Sequence, residues 1–219
     1  MGTTTPTEDR TYTREDAIVF RKTNEQFGGL SNMAPGFPLE VNGIHIRTAE
    51  ALYQACRFPH MPKVQQLILK EHSPMTAKMR SKPYRQDSRV DWDAVRVVTM
   101  KWCLRVKLAQ NWTAFGRILL ATGDRPIVED SRKDAYWGAN PVDGDTLSGK
   151  NVLGRLLMEL RETLKLNPDK LRVVDPPRIP DFLLLGKDIA TVVAADPPQA
   201  TERSERRATR DFWDAPGHL

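Results

Sequence analysis

The chain has 219 residues, 40% of them hydrophobic and 28% charged, with a net charge of +5, which suits one globular domain with a proper core and excludes a low-complexity or disulfide-stapled scaffold. Cys56 and Cys103 sit in apolar, helix-like surroundings with no CxxC pair and no Cys/His set at metal spacing, and no apolar run nears the roughly 18 residues of a membrane span. With a polar start that lacks a signal-peptide pattern, the expectation is a cytoplasmic protein with reduced core cysteines, no metal and no cofactor.

Residues 1–16 are polar and aperiodic and read as a flexible tail. Ala17–Phe20 reads as a short strand, and Leu39–Ile46 as two strands around Asn42-Gly43, the strongest hairpin signal in the chain. Helices are expected at Ala49–Phe58, at Lys63–Lys70, and from Pro74, where Ser73 is suited to capping and proline to the first helical position. Asp91 opens a longer helix in which Val95, Val98, Trp102, Val106 and Ala109 recur at helical spacing as a core stripe. Another covers Trp112–Ala121 and stops near Gly123; the last runs from Asn151 to about Leu166, with Leu153, Leu156, Leu157, Leu160 and Leu164 on one face. The fold class is α+β, mainly α-helical, with a few short antiparallel strands. Its main domain is 17–166, an extension at 167–193 packs on it or docks a partner, and 194–219 is a second flexible tail.

Seven basic residues lie between Lys63 and Arg89 against Glu71 and Asp87, and five between Ala94 and Gly123 with no acid at all. This is either a solvated helix face or a surface for a phosphate-bearing partner. The densest chemistry lies in Ile127-Val-Glu-Asp-Ser-Arg-Lys-Asp-Ala-Tyr-Trp-Gly138, with three carboxylates, two cations and two aromatics in twelve residues. Glu50 opens a helix beside Tyr53 and Gln54, where a carboxylate complements the helix dipole or faces a cleft. Hydrolysis of an N-glycoside passes through an oxocarbenium-like state, so it needs an anion near C1 of the sugar, a base for water and help for the departing nitrogen. Glu50, Asp134 and Glu129 are the carboxylates that meet those needs if the fold brings them together.

These stretches resemble the NADAR family, also called YbiA-like. The resemblance rests on Ala49-Glu-Ala-Leu-Tyr-Gln54, the Ile127–Gly138 segment, Gly28-Gly-Leu-Ser-Asn32 and Gly149-Lys-Asn-Val-Leu-Gly154, in that family's order and spacing over roughly residues 17–166. It implies glycohydrolase activity with Glu50 and Asp134 as functional carboxylates and Trp137 in the pocket. Ser31 and Asn32 would lie at the mouth of the site, with Gly149, Asn151 and Gly154 at the start of the long helix. Ala51, Leu52 and Arg57 depart from the aromatic or His and the Lys that many YbiA-like members carry there. Three stretches, Glu50–Phe58, Ser73–Met79 and Trp102–Trp112, look instead like the NADAR antitoxins paired with DarT-type DNA ADP-ribosyltransferase toxins. The implied reaction is removal of ADP-ribose from guanine in DNA, with the toxin as a further partner.

The remaining candidates are of mixed standing. Lys22 either stabilises a diphosphate, captures an opened sugar as a buried neutral amine, or is a plain solvated lysine. Lys150 and the N–H groups around Asn151 offer a helix-terminal phosphate contact. Tyr136 and Trp137 could stack on a base, with Gly138 closing the same segment. Trp92, Trp102 and Trp112 read as core or helix-interface residues. The alternatives in function are an N-glycosidase of a small nucleotide or riboflavin-pathway intermediate, and a non-catalytic ADP-ribose reader or toxin-binding antitoxin.

Overall fold

Local sequence accounts for most of the elements in the computed structural model, which describes residues 8–194. In chain order they begin with β1 Arg10–Thr13, β2 Ile18–Phe20, β3 Leu39–Val41 and β4 Ile44–Ile46. Helices α1 Ala49–Cys56, α2 Pro62–Leu69 and α3 Pro74–Ser81 follow, then a 3-10 turn at Lys82–Asp87, α4 Trp92–Gln110 and α5 Trp112–Leu120. After β5 Ile127–Glu129, β6 Asn140–Pro141 and β7 Thr146–Gly149 comes α6 Val152–Leu166. The last strands are β8 Val173–Val174, β9 Leu183–Leu184, β10 Lys187–Asp188 and β11 Val192–Val193. The class is α+β and mainly helical, as expected.

Asn42 and Gly43 both take positive φ, 53° and 73°, which is what a two-residue hairpin turn demands and why this pair of residues makes it. Thr48 accepts from the Ala51 N–H at 3.3 Å and so starts α1 at the residue before Ala49. Ser73 precedes α3 as expected, yet its side chain makes no capping bond, and Pro74 at the first position begins the helix.

Three features lie beyond the sequence reading. β1 falls inside the stretch expected to be a flexible tail and pairs antiparallel with β7, Arg10 opposite Gly149 through Thr13 opposite Thr146. β2 pairs with β5 in parallel, which brings Phe20 opposite Glu129 across more than a hundred residues. α4 is buried on more than one stripe: Val97, Met100, Cys103, Leu104 and Lys107 are buried besides Trp102, Val106 and Ala109, whereas Val95 and Val98 are only half-buried. A helix wrapped by α1, α5, α6 and the β8/β11 ladder hides several faces, so a single-face pattern understates it.

The segment after α6 is turned inward. Leu171, Val174, Phe182, Leu184, Ile189 and Val192 join the main core, and the Phe182 ring meets Trp102 edge-on at 5.1 Å. Gln65 Nε2 donates to Leu183 O at 2.9 Å and Gln65 Oε1 accepts from Leu185 N at 2.7 Å, while Arg89 Nη2 donates to Pro180 O at 2.7 Å. The apolar patch considered for toxin docking is thus spent on packing. The tail expected at 194–219 lies, beyond Ala194, outside the described residues, as do residues 1–7.

Candidate active site

Six segments converge on one cavity of about 260 Å³: the Ser31–Met33 loop, α1 through Arg57, the α3 end with its 3-10 turn, the first half of α4, the β5–Trp137 stretch, and Leu153 at the start of α6. Of the expected site residues, Ser31, Asn32, Glu50, Tyr53, Gln54, Glu129, Asp134 and Trp137 line it. The three carboxylates come from α1, the end of β5 and the following loop; the parallel β2–β5 pair and α6 hold that strand against the helices.

Each carboxylate has a different setting. Glu50 is buried at the first turn of α1, its N–H donates to Asn32 O at 3.1 Å, and its Oε1 accepts from Gln54 Nε2 at 2.9 Å. Gln54 Oε1 in turn accepts from Ser81 Oγ at 2.9 Å, so a relay from α3 sets the orientation of Glu50. Asp134 Oδ1 accepts from the Tyr136 and Trp137 N–H groups at 3.1 and 3.0 Å, which folds the aromatic loop around the carboxylate. Among the described residues no cation lies at bonding distance from Glu129. Burial, then the nearby Glu50 and Asp134 charges, push its carboxyl up to about 7.

An aromatic and cationic wall faces these acids. Tyr53 packs on Trp92 at 5.2 Å and on Trp137 at 5.6 Å, and Trp137 on Tyr136 at 5.3 Å. Arg57 lies over the Trp92 ring at 5.0 Å and Arg96 over Tyr136 at 3.9 Å, so a guanidinium closes the row at each end. Arg57, Arg85, Arg96 and Lys78 all line the cavity, and Arg57 Nε, Arg96 Nε and Asn32 Oδ1 are buried without a partner among the described residues. Buried polar atoms of this kind call for a hydrogen-bonding ligand.

Five expected residues are placed elsewhere. Lys22 is exposed at the end of β2, its backbone N–H given to Glu25, and it lacks the burial that a neutral amine nucleophile requires. Lys150 Nζ stands 5.8 Å from the Tyr136 ring centroid, and Tyr136, edge-on to Trp137 at 5.3 Å, is itself outside the lining. The helix-terminal phosphate contact is also absent at α6. The N–H groups of Lys150, Asn151, Val152 and Leu153 donate to the carbonyls of Ala135, Gly138, Tyr136 and Trp137, at 2.7 to 3.0 Å. Those donors already hold the aromatic loop.

Asn151 is therefore a clamp rather than a substrate contact: fully buried at φ 47°, it donates from Nδ2 to Ile127 O at 2.8 Å and accepts the Glu129 N–H at Oδ1 at 3.3 Å. Gly138 serves backbone packing, since a Cβ there would sit 2.5 Å from Glu129 O. Gly154 is tighter still, with a Cβ 2.0 Å from Ile127 O.

Sequence reading missed Met33, Arg57, Lys78, Arg85, Arg96, Met100, Ser131 and Leu153 as lining residues and took Trp92 for core alone. Trp92 is in fact both, buried in the core and lining the cavity. The basic bias of 63–89 was the one signal that pointed at Lys78 and Arg85. Among the described residues no group of three or more His, Cys, Asp or Glu could hold a metal ion, and no helix is long and apolar enough to cross a membrane.

Several known proteins are similar to this chain over about 70% of its length. The N-glycosidase YbiA of Escherichia coli (strain K12) is 38% identical over 160 residues, covering 71% of this chain and 93% of that protein. A riboflavin biosynthesis protein of Vibrio vulnificus (strain YJ016) is 37% identical over 156 residues, but the match spans only 41% of its length. The chloroplastic riboflavin biosynthesis protein PYRR of Zea mays is 32% identical over 161 residues, a quarter of its length. The NMR structure of the E. coli protein YbiA superposes with a TM-score of 0.60 at 34% identity, covering 71% of this chain and 89% of that one. The model of the NADAR domain matches residues 19–165, the stretch that supplies every lining residue of the cavity. This chain belongs to the NADAR family.

Proposed function

We propose that this protein is a hydrolase of N-glycosyl bonds, and that its substrate is ADP-ribose joined to a guanine base in DNA. The observation that carries the reading is the trio Glu50, Glu129 and Asp134 on one aromatic-walled cavity, with the Glu129 carboxyl pushed up to about 7. At neutral pH Glu129 holds a proton for much of the time, which it gives to the departing nitrogen as the C1–N bond breaks. Glu50, oriented by Gln54, faces the developing positive charge at C1 and takes a proton from the attacking water. The products are the sugar with a C1 hydroxyl and the free amine, and the proton returns from Glu50 to Glu129 through solvent. Asp134 adds negative charge near the sugar and holds the loop that carries Trp137.

Arg57, Arg85, Arg96 and Lys78 fit a substrate that carries phosphate. The preference for DNA rests on the rim. Arg132 and Lys133 are exposed between the lining residues Ser131 and Asp134, and with the lining Lys78 and Arg85 they supply positive charge for a polyanion. In this role the protein reverses the product of a DarT-type toxin and acts as its antitoxin. A second reading has its own support: 260 Å³ lies at the small end for ligand cavities, enough for a ribosyl phosphate, and two relatives carry names from riboflavin biosynthesis.

One experiment separates them. Wild type and Glu50→Gln are incubated with an oligonucleotide bearing ADP-ribosylated guanine and, in parallel, with a 5′-phosphoribosylamino-pyrimidine, and released sugar is followed by mass spectrometry. Release from the oligonucleotide by wild type only is the expected result. Release from the pyrimidine alone selects the small-nucleotide reading, and ADP-ribose binding with no turnover of either selects a reader.

A further inference from the structure

A second concavity of about 350 Å³ lies beside the first, lined by Leu67, Thr76, Met79, Arg80, Pro83 and Tyr84. It shares a wall with the catalytic cavity. Lys78 faces the cavity and Met79 the groove; Tyr84 faces the groove and Arg85 the cavity. Neighbouring Cα atoms are about 3.8 Å apart, so α3 and its 3-10 turn form a thin ridge between the two hollows.

The groove is apolar inside and cationic around. Leu67 and Met79 are 45% and 53% exposed, and the Tyr84 ring beside them is half-buried against the main core. Lys78, Lys82 and Arg85 stand along the ridge, while the nearby acids are Asp87 and Glu71, the latter occupied by Arg80 at 2.6 Å. Apolar and aromatic surface interleaved with cations matches a nucleic-acid strand, whose bases need a flat apolar platform and whose phosphates need positive charge. A duplex offers no free base face to such a hollow.

We propose that this groove holds an unpaired nucleotide next to the one being processed, so that the protein grips single-stranded nucleic acid across the α3 ridge. The proposal rests on the DNA reading above and adds strandedness to it. Tyr84 stacks on the base, Met79 and Leu67 line its other face, and Lys82 meets the backbone phosphate as the strand crosses.

The test uses the full chain with an unmodified, fluorescein-labelled single strand and its duplex, read by anisotropy over a range of salt. Wild type is expected to bind the single strand more tightly than the duplex. Tyr84→Leu, which keeps apolar bulk, is expected to weaken strand binding about tenfold. The surface variant Lys82→Glu should weaken it and flatten its salt dependence. Both variants should retain the wild-type melting temperature and hydrolysis of free ADP-ribosyl-guanosine. Equal binding of duplex and single strand, or strand binding untouched by both variants, overturns the groove assignment. Because the strand is unmodified, the two readings fail separately: hydrolysis with unaffected strand binding removes the groove, and weakened binding in an enzyme that hydrolyses neither substrate removes the glycosidase reading alone.

Discussion

Lys107 is fully buried in the middle of α4 and faces no carboxylate among the described residues. Its Nζ donates to Gly29 O at 2.6 Å and Ser31 O at 2.9 Å, and it lies 4.6 Å and 4.3 Å from the Phe37 and Phe115 ring centroids. It thereby ties the loop that delivers Ser31 and Asn32 to the cavity. Burial pushes its ammonium down from 10.5 to about 7, a change of about 5 kcal/mol at about 1.4 kcal/mol per unit. The two carbonyls and two ring faces favour the ammonium and oppose part of that, so about 5 is an upper bound.

The direction of the pH effect follows from the proton count. Below pH 7 both folded and unfolded chains hold the proton, and the folded chain bears the whole desolvation cost. Between 7 and 10.5 the unfolded chain binds a proton that the folded one has released, so Lys107 makes stability rise with pH across that window. Lys107→Met removes this contribution and orphans two carbonyls, at about 1 to 3 kcal/mol each. At pH 6 the relief and the loss nearly cancel. At pH 9 about 2 kcal/mol of that relief remains, and the variant should be the less stable by up to about 4 kcal/mol. Urea unfolding of both proteins at pH 6, 7, 8 and 9 measures the difference, from which groups common to both cancel. A difference that stays constant across the series refutes the reasoning and shows that Lys107 is charged in the folded protein throughout.

Glu50→Gln should leave the fold intact, since Gln54 can still pair with the new amide, and cut turnover by about 100-fold or more; unchanged single-turnover rates would remove Glu50 from the chemistry. The Glu129 carboxyl, raised to about 7, keeps its proton below that pH and loses it above, so kcat/KM should fall as pH rises past 7, and Glu129→Gln should lack this limb at a low overall rate. A pH profile shared by wild type and Glu129→Gln would reassign the proton donor. Asn151→Ala forfeits the bonds to Ile127 and Glu129 and strains a φ of 47°, for a loss of about 2 to 4 kcal/mol in chemical unfolding; Asn151→Gly should recover the strain but not the bonds. Gly154→Ala places a methyl 2.0 Å from Ile127 O and should abolish folded protein in expression and melting assays, and a normally melting variant would show that α6 can shift away from β5.

Periodicity and turn chemistry were enough to read the helices and the β3–β4 hairpin, because these depend on neighbours in the chain: Asn42-Gly43 forms its turn wherever it is placed, and the leucines of α6 line up on any 3.6-residue spiral. The motif segments likewise carried Glu50, Glu129, Asp134 and Trp137, since acids and aromatics crowded into short stretches are visible without coordinates. What surrounds them was not local. β1 is four residues with no pattern of its own and forms only because β7 offers an edge. Arg57, Arg85 and Arg96 lie on three separate helical segments, and only their packing aims them at one cavity. Asn151 and the α6 N–H groups read as ligand donors in the linear chain, and the tertiary structure assigns them to the carbonyls of the Asp134–Gly138 loop. A donor's partner is decided by whichever acceptor folding brings within 3 Å, here carbonyls in a loop 13 to 16 residues earlier, a pairing beyond the reach of any turn or helix pattern.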